Sequence, residues 1–297
     1  MPITAHFQQV IAFGKSGYSL FIDIGTNGEI VLGNKDWLMT ASCSAGPAFE
    51  GGGVRWGMRA EEGAIEKISI DPNTLAPDIS TVSGVPPRGI CGSGMIDLLS
   101  EMLFAGIIDQ SGRFRVDTPH PRISKVGDES AYVVVFADHT AMQEDIVFTE
   151  SDIKNIILSK GAVYAGFTVL LKQAGIDFSM VDRVFITGGF GKYLNIEKSI
   201  FIGLLPDIDR KKFHYLGNTS IAGSYMALLS DEYRKEALQV SHSMTYIDFS
   251  TNNQFMEEFT SALFLPHTDI DAFPSLKNKI QTRTAAEKCN AINSAAI

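Results

Sequence analysis

The 27 glycines of this 297-residue chain are unevenly spread, and their placement constrains the fold more than any other feature. Six stand between Gly46 and Gly63, and tighter groups occur at Gly89–Gly94 and Gly188–Gly191. Each group adjoins a stretch that reads as strand or helix. Glycine there lets the backbone take turns closed to other residues and lets another group approach closely. The chain therefore needs several tight turns where its regular elements end.

Those elements follow from hydrophobic spacing. Residues 18–24 (YSLFIDI) read as a buried strand and 29–32 (EIVL) as its hairpin partner. Thr26-Asn27-Gly28 supplies the turn, because Asn-Gly tolerates positive φ. Residues 37–43 form a third strand. A helix is predicted over 94–105, with Ile96, Leu99, Met102 and Leu103 on one face. Residues 132–136 (YVVVF) are a strand. Residues 149–173 form a long amphipathic helix, opened by Thr149 or Ser151 as cap, with Ile153, Ile156, Ile157, Tyr164, Phe167 and Leu171 at helical spacing. A strand at 182–187 ends at Gly188. Helices follow at 220–229, rich in small residues, and 257–265. This mixture predicts an α/β fold. Residues 1–17 read as a leader, 18–275 as the domain and 276–297 as a polar tail.

Composition excludes several classes. Hydrophobic residues make up 45% and charged residues 20%, so the chain can bury a core and is not wholly disordered. A net charge of −9 gives no general attraction to nucleic acid or to an anionic membrane. No apolar run approaches the ~20 residues that span a bilayer. Cys43, Cys91 and Cys289 are too few and too scattered for a disulfide scaffold, and the N-terminus lacks a signal-like segment, which points to the cytoplasm. The six histidines show no metal-ligand spacing.

Three segments carry chemistry. In Asp23-Ile24-Gly25-Thr26-Asn27-Gly28 an acidic residue closes a strand before a tight turn. Such a turn presents backbone N–H groups, the Thr26 hydroxyl and the Asn27 amide to an anion, while Asp23 suits hydrated Mg²⁺ or an attacking water. The same residues also make an ordinary hairpin. Thr187-Gly188-Gly189-Phe190-Gly191 lets backbone lie against a planar or phosphorylated ligand, or simply connects strand to helix; it is not the dinucleotide fingerprint. Ile90-Cys91-Gly92-Ser93-Gly94 leads into a helix, with Ser93 favoured as a plain N-cap over an anion site.

In this order the segments resemble the superfamily of acetate and sugar kinases, heat-shock chaperones and actin. The runs IDIGTNGEIVLGN, CSAGPAFEGGGVRWGMRA, GICGSGMIDLL, KGAVYAG, ITGGFG and GNTSIAG together resemble the C-terminal domain of reductive activators of corrinoid proteins. The resemblance implies an actin-like ATPase-type domain, a mixed sheet with flanking helices, forming the C-terminal half of a two-lobed clamp. It implies ATP and Mg²⁺ as ligands, with Asp23 catalytic and holding Mg²⁺. Gly25, Thr26, Asn27 and Gly28 would face the phosphates, Gly188, Gly189 and Gly191 the nucleoside, and Lys160, Gly161 and Tyr164 the adenine side. Lys160 reads more simply as a solvated helix residue. The implied partner is a corrinoid protein, whose cob(II)alamin is driven to cob(I)alamin.

Family members also carry an N-terminal [2Fe–2S] domain and an earlier phosphate motif. This sequence has no such cluster motif, so the electron must come from a missing ferredoxin-type half or a separate donor. A lone half should bind ATP weakly, because one wall of donors is missing. Ser42, Ser44 and Glu50 lie in a polar loop rigidified by Pro47. The loop either faces the corrinoid partner, with a serine hydroxyl near cobalt, or is a structural turn in which Glu50 caps backbone N–H groups. Cys43 and Cys91 would supply a Cys₄ cluster at the axis of a homodimer, or are small buried hydrophobes, the simpler reading. Two alternatives stay beside the activator: a non-catalytic docking or dimerisation half, and a small-molecule kinase.

Overall fold

The computed structural model describes residues 17–115, 119–189 and 194–277. Its centre is a six-stranded mixed sheet in the order β11-β10-β1-β2-β3-β12. These strands are β1 (Tyr18–Ile24), β2 (Gly28–Gly33), β3 (Leu38–Cys43), β10 (Val181–Thr187), β11 (Phe213–Gly217) and β12 (Met244–Tyr246). The first three form an antiparallel meander; β10 pairs parallel to β1, and β11 parallel to β10. Two three-stranded sheets are inserted after β3. One contains β4 (Ala64–Ile70), β5 (Pro77–Thr81) and β6 (Gly89–Ile90), the other β7 (Ile123–Val126), β8 (Glu129–Val135) and β9 (Ile146–Thr149). The helices are α1 (Gly92–Ala105), α2 (Glu150–Ala174), α3 (Ile196–Phe201), α4 (Thr219–Leu229), α5 (Asp231–Ser243) and α6 (Asn253–Ser261).

Strand alternation splits the main sheet into two faces. Leu20, Ile22, Ile24, Ile30, Leu32, Ala41 and Cys43 enter the large core with Ile156, Val163 and Phe167 of α2. Phe21, Val31 and Phe185 form a small cluster on the opposite face. The long helix starts where its cap dictates. The Thr149 hydroxyl accepts from the Asp152 backbone N–H, and the Asp152 carboxylate accepts from the Thr149 N–H, a reciprocal capping box. It ends on Gly175 in the left-handed region.

Most predicted elements stand within a few residues of their positions. The helix expected at 257–265 occupies Asn253–Ser261. Three details are corrected. The hairpin turn uses no positive φ at Asn27 or Gly28. Gly28 is needed because a Cβ there would lie 2.6 Å from Cys43 Sγ. Ser93 does not cap its helix: Cys91 occupies the N-cap position, and the Ser93 hydroxyl donates to the Glu66 carbonyl at 3.0 Å. Leu276, read as tail, is 1% exposed and packs into the core. Residues 278–297 of that segment and residues 1–16 of the leader lie outside the described residues. No helix among the described residues is long and apolar enough to cross a membrane.

Candidate functional site

The carboxyl ends of β1, β10 and β11 point the same way, so the turns that follow them gather at one edge of the sheet. In open α/β sheets that edge is where ligands bind. Strand register fixes what is presented there. Thr187 pairs with Asp23, Asp23 with Glu29, and Glu29 with Ser42, forming one row across four strands. Cross-strand partners share a face. The row therefore lies on the Phe21 side of the sheet, opposite α2.

Asp23 is 7% exposed. Burial pushes its carboxyl above the usual carboxylate value, and the hydroxyls of Thr187 and Ser220 oppose that shift. The Ser220 hydroxyl is 3.3 Å from Asp23 Oδ2. Ser220 lies in the first turn of α4, which Asn218 caps through its side chain, so this helix N-terminus and its dipole adjoin Asp23. The hydroxyl of Thr219, next to Ser220 in the chain, is fully buried and has no hydrogen-bond partner among the described residues. A buried hydroxyl without a partner is costly. Glu29, which sequence reading passed over, is also raised, by burial first and by the Asp23 charge second.

The expected glycines divide by role. The Gly25 N–H is donated to the Asn27 carbonyl within the turn, so it is not free for an anion. The missing side chain of Gly28 faces Cys43 and Val163 in the core. Gly188 adopts φ +108°, and a Cβ there would lie 2.4 Å from the Ile24 carbonyl oxygen and 2.9 Å from Asp23 Oδ1. It lets the β10 turn press against the acidic strand. A Cβ on Gly189 would meet nothing within 4 Å, so that position faces open space. Gly191 lies outside the described residues. Gly188→Ala is expected to destabilise the fold by about 2–4 kcal/mol and Gly189→Ala by less than about 1 kcal/mol. Thermal denaturation of the two variants checks the contrast.

Ser42 and Ser44 are exposed and alternate with the buried Ala41, Cys43 and Ala45. Glu50 caps no backbone group. Its Oε2 accepts the Thr26 hydroxyl at 2.6 Å, which brings the loop carboxylate onto the hairpin turn. Asp23, Thr26, Glu29, Ser42 and Glu50 thus share one edge.

Lys160 does not join them. It is neither solvated nor free to reach a nucleotide: it is fully buried, and its amine donates to the carbonyls of Phe264 at 2.5 Å and Pro266 at 2.7 Å. It sits on α2, behind the sheet. Tyr164 is likewise interior, packed on Phe167, His267 and Phe273. Cys43 and Cys91 are buried and hydrogen-bonded to the carbonyls of Gly28 and Ile65, and burial pushes the Cys43 thiol up to about 12. Both occupy buried space and, among the described residues, face no cluster partner. Among the described residues no three His, Cys, Asp or Glu side chains gather as a metal site.

Comparison with known proteins agrees with this fold. The family model described as the C-terminal domain of RACo, the ASKHA domain, matches residues 17–277. A corrinoid activation enzyme, RamQ, of Eubacterium limosum is 34% identical over 248 residues, covering 81% of this chain and 41% of RamQ. The [Co(II) methylated amine-specific corrinoid protein] reductase of Methanosarcina barkeri is 26% identical over 249 residues, covering 76% of this chain and 42% of the reductase. A solved reductive activator for corrinoid, iron-sulfur protein superposes with a TM-score of 0.87 at 49% identity, over 92% of this chain and 43% of its own. The chain thus spans about four-tenths of the length of the relatives it matches.

Proposed function

The chain belongs to the family of the RACo C-terminal domain, the ASKHA domain, and from that premise we propose that it is the ATP-binding half of a reductive activator of corrinoid proteins. The observation that carries the reading is the convergence of the hairpin turn, the β10 turn and the α4 N-terminus around Asp23, whose carboxylate the Ser220 hydroxyl approaches at 3.3 Å. The Thr26 hydroxyl and the α4 N-terminus suit phosphate oxygens. The open space at Gly189 suits the nucleoside.

Magnesium fits in one way. Asp23 and Glu29 are adjacent carboxylates too few to cage a cation, so Mg²⁺ would arrive on the nucleotide phosphates and be held through Asp23 and coordinated water. Bound there, it would supply charge neutralisation between carboxylate and phosphate. The chain's residues bind and orient: Asp23 holds the hydrated cation, Thr26 donates to phosphate, and Gly188 keeps both turns in register.

The work done is coupling. Reduction of cob(II)alamin to cob(I)alamin takes one electron, from a ferredoxin-type domain or a separate donor. ATP shifts that equilibrium only by binding two states of the activator–corrinoid complex unequally. Ser42 and Ser44, exposed beside the nucleotide turn, are the residues placed against the corrinoid partner in this reading. A homodimer and a cytoplasmic setting belong to the same reading.

Calorimetry of Mg-ATP with this chain tests it. Binding is expected to weaken at least tenfold in Asp23→Ala, a loss of about 1.4 kcal/mol or more. Binding unchanged in the variant would place the nucleotide elsewhere. No binding to the wild-type chain would leave docking to the corrinoid protein, without ATP turnover, as the function of this half.

A further inference from the structure

The Thr26 hydroxyl carries one proton, and it points at Glu50. Glu50 Oε2 accepts it at 2.6 Å, while Oε1 lies 3.7 Å from where a Gly25 Cβ would stand, so the carboxylate lies across the Gly25–Thr26 turn. The support beneath it is rigid. Ala48 and Phe49, its neighbours in a short 3₁₀ turn, are 3% and 2% exposed. The Glu50 N–H donates to the Pro47 carbonyl, and Gly51 packs so closely on Gly57 and Met58 that a Cβ there would lie 2.5 Å from the Met58 nitrogen. Two bonds tie the following segment to α2: Arg55 N–H to Asp152 at 2.8 Å and Asn155 to the Gly53 carbonyl at 2.6 Å. The loop backbone is therefore held, and the carboxylate moves only by its own rotamers.

We propose that Glu50 determines which anions the Gly25–Thr26 turn accepts, admitting a polyphosphate that carries a divalent cation and turning away a bare one. Two physical effects give that selectivity. A phosphate oxygen and Glu50 cannot both take the Thr26 proton, so an incoming anion must displace the carboxylate. A bare polyphosphate then meets a fixed negative charge at contact range, joined by Asp23 and Glu29 along the same edge. A bound cation cancels that repulsion. The inference rests on the nucleotide reading above and adds a role for a residue outside the glycine motifs.

Calorimetry of ATP with excess Mg²⁺, and of ATP in EDTA, on the wild-type chain and on Glu50→Gln tests it. Glutamine keeps the shape and removes the charge. The wild-type chain is expected to bind ATP at least about tenfold more weakly in EDTA. Glu50→Gln is expected to narrow that ratio about threefold or more, by gaining affinity in EDTA. Glu50→Asp, which keeps the charge but withdraws it by one methylene, should fall between them. A ratio unchanged in Glu50→Gln overturns the inference and leaves the nucleotide site standing. So does a loss confined to Mg-ATP, which would make Glu50 a cation ligand. Absence of ATP binding to both proteins under both conditions overturns the nucleotide reading and this inference with it.

Discussion

Lys160→Ala is expected to cost the fold about 3–5 kcal/mol, among the largest effects of any single change here. The wild-type amine satisfies two buried carbonyls, those of Phe264 and Pro266, and its stem fills core between α2 and the segment after α6. Alanine leaves both carbonyls unpaired and opens a cavity. Lys160→Met keeps the volume and should cost less. Burial holds the Lys160 amine well below the ordinary lysine value. Between the lowered folded value and the unfolded value near 10.5, the unfolded chain binds a proton that the folded chain does not. Wild-type stability should therefore rise with pH across that window, by as much as about 1.4 kcal/mol per unit, relative to Lys160→Met. Urea unfolding of both proteins at pH 7 and pH 9.5 measures it. A wild-type advantage that shrinks with pH would mean a charged lysine with an unseen partner. Lys160→Met should also bind Mg-ATP as the wild-type chain does, since its amine serves the core.

That interior place was readable from spacing. Lys160 stands four residues after Ile156 and four before Tyr164, both on the apolar stripe of the helix, and α2 is buried on nearly every side from Asp152 to Leu171. Reading it as a ligand followed the KGAVYAG motif over the helical period. The hairpin shows the same contrast. Its strands were legible because alternation and turn chemistry agree. Asp23 and Glu29 stand at equal distance from the turn centre, so their pairing followed from the hairpin alone. Other features needed the tertiary fold. Thr26 meets Glu50 across 24 residues of chain, and no local pattern sets that contact. The helix Asp231–Ser243 buries only Ala237 and Val240, too few for a hydrophobic period, although Ser230 and two acidic residues mark its start. Strands β4 and β5 lay in residues left without assignment, and the alternation in AIEKISI is the signal for β4.

The insert that carries β4 depends on one cation, and Lys198→Met is the second change expected to be severe. Lys198 Nζ lies 3.0 Å from Asp97 Oδ2 and 3.2 Å from Glu101 Oε1, and donates to the Ile68 carbonyl at 2.5 Å. The same carboxylates accept backbone N–H groups of β4, Asp97 from Ile68 and Glu101 from Ile70. One lysine on α3 thus neutralises two acids on α1 that hold the strand. Methionine would leave both carboxylates largely buried and facing each other, at a cost of about 3–5 kcal/mol at pH 7. Asp97 is already raised by burial, against the opposing pull of Ile68 N–H and Lys198. Without Lys198 its folded value rises further above the unfolded value. The folded variant then binds a proton the unfolded chain does not, so its stability falls as pH rises through that window and recovers as pH falls. Unfolding measured at pH 7 and pH 5 should show a smaller gap between Lys198→Met and wild type at pH 5. A gap that widens at pH 5 would mean that the carboxylates find another cation, and that the lysine is not what joins α1, α3 and β4.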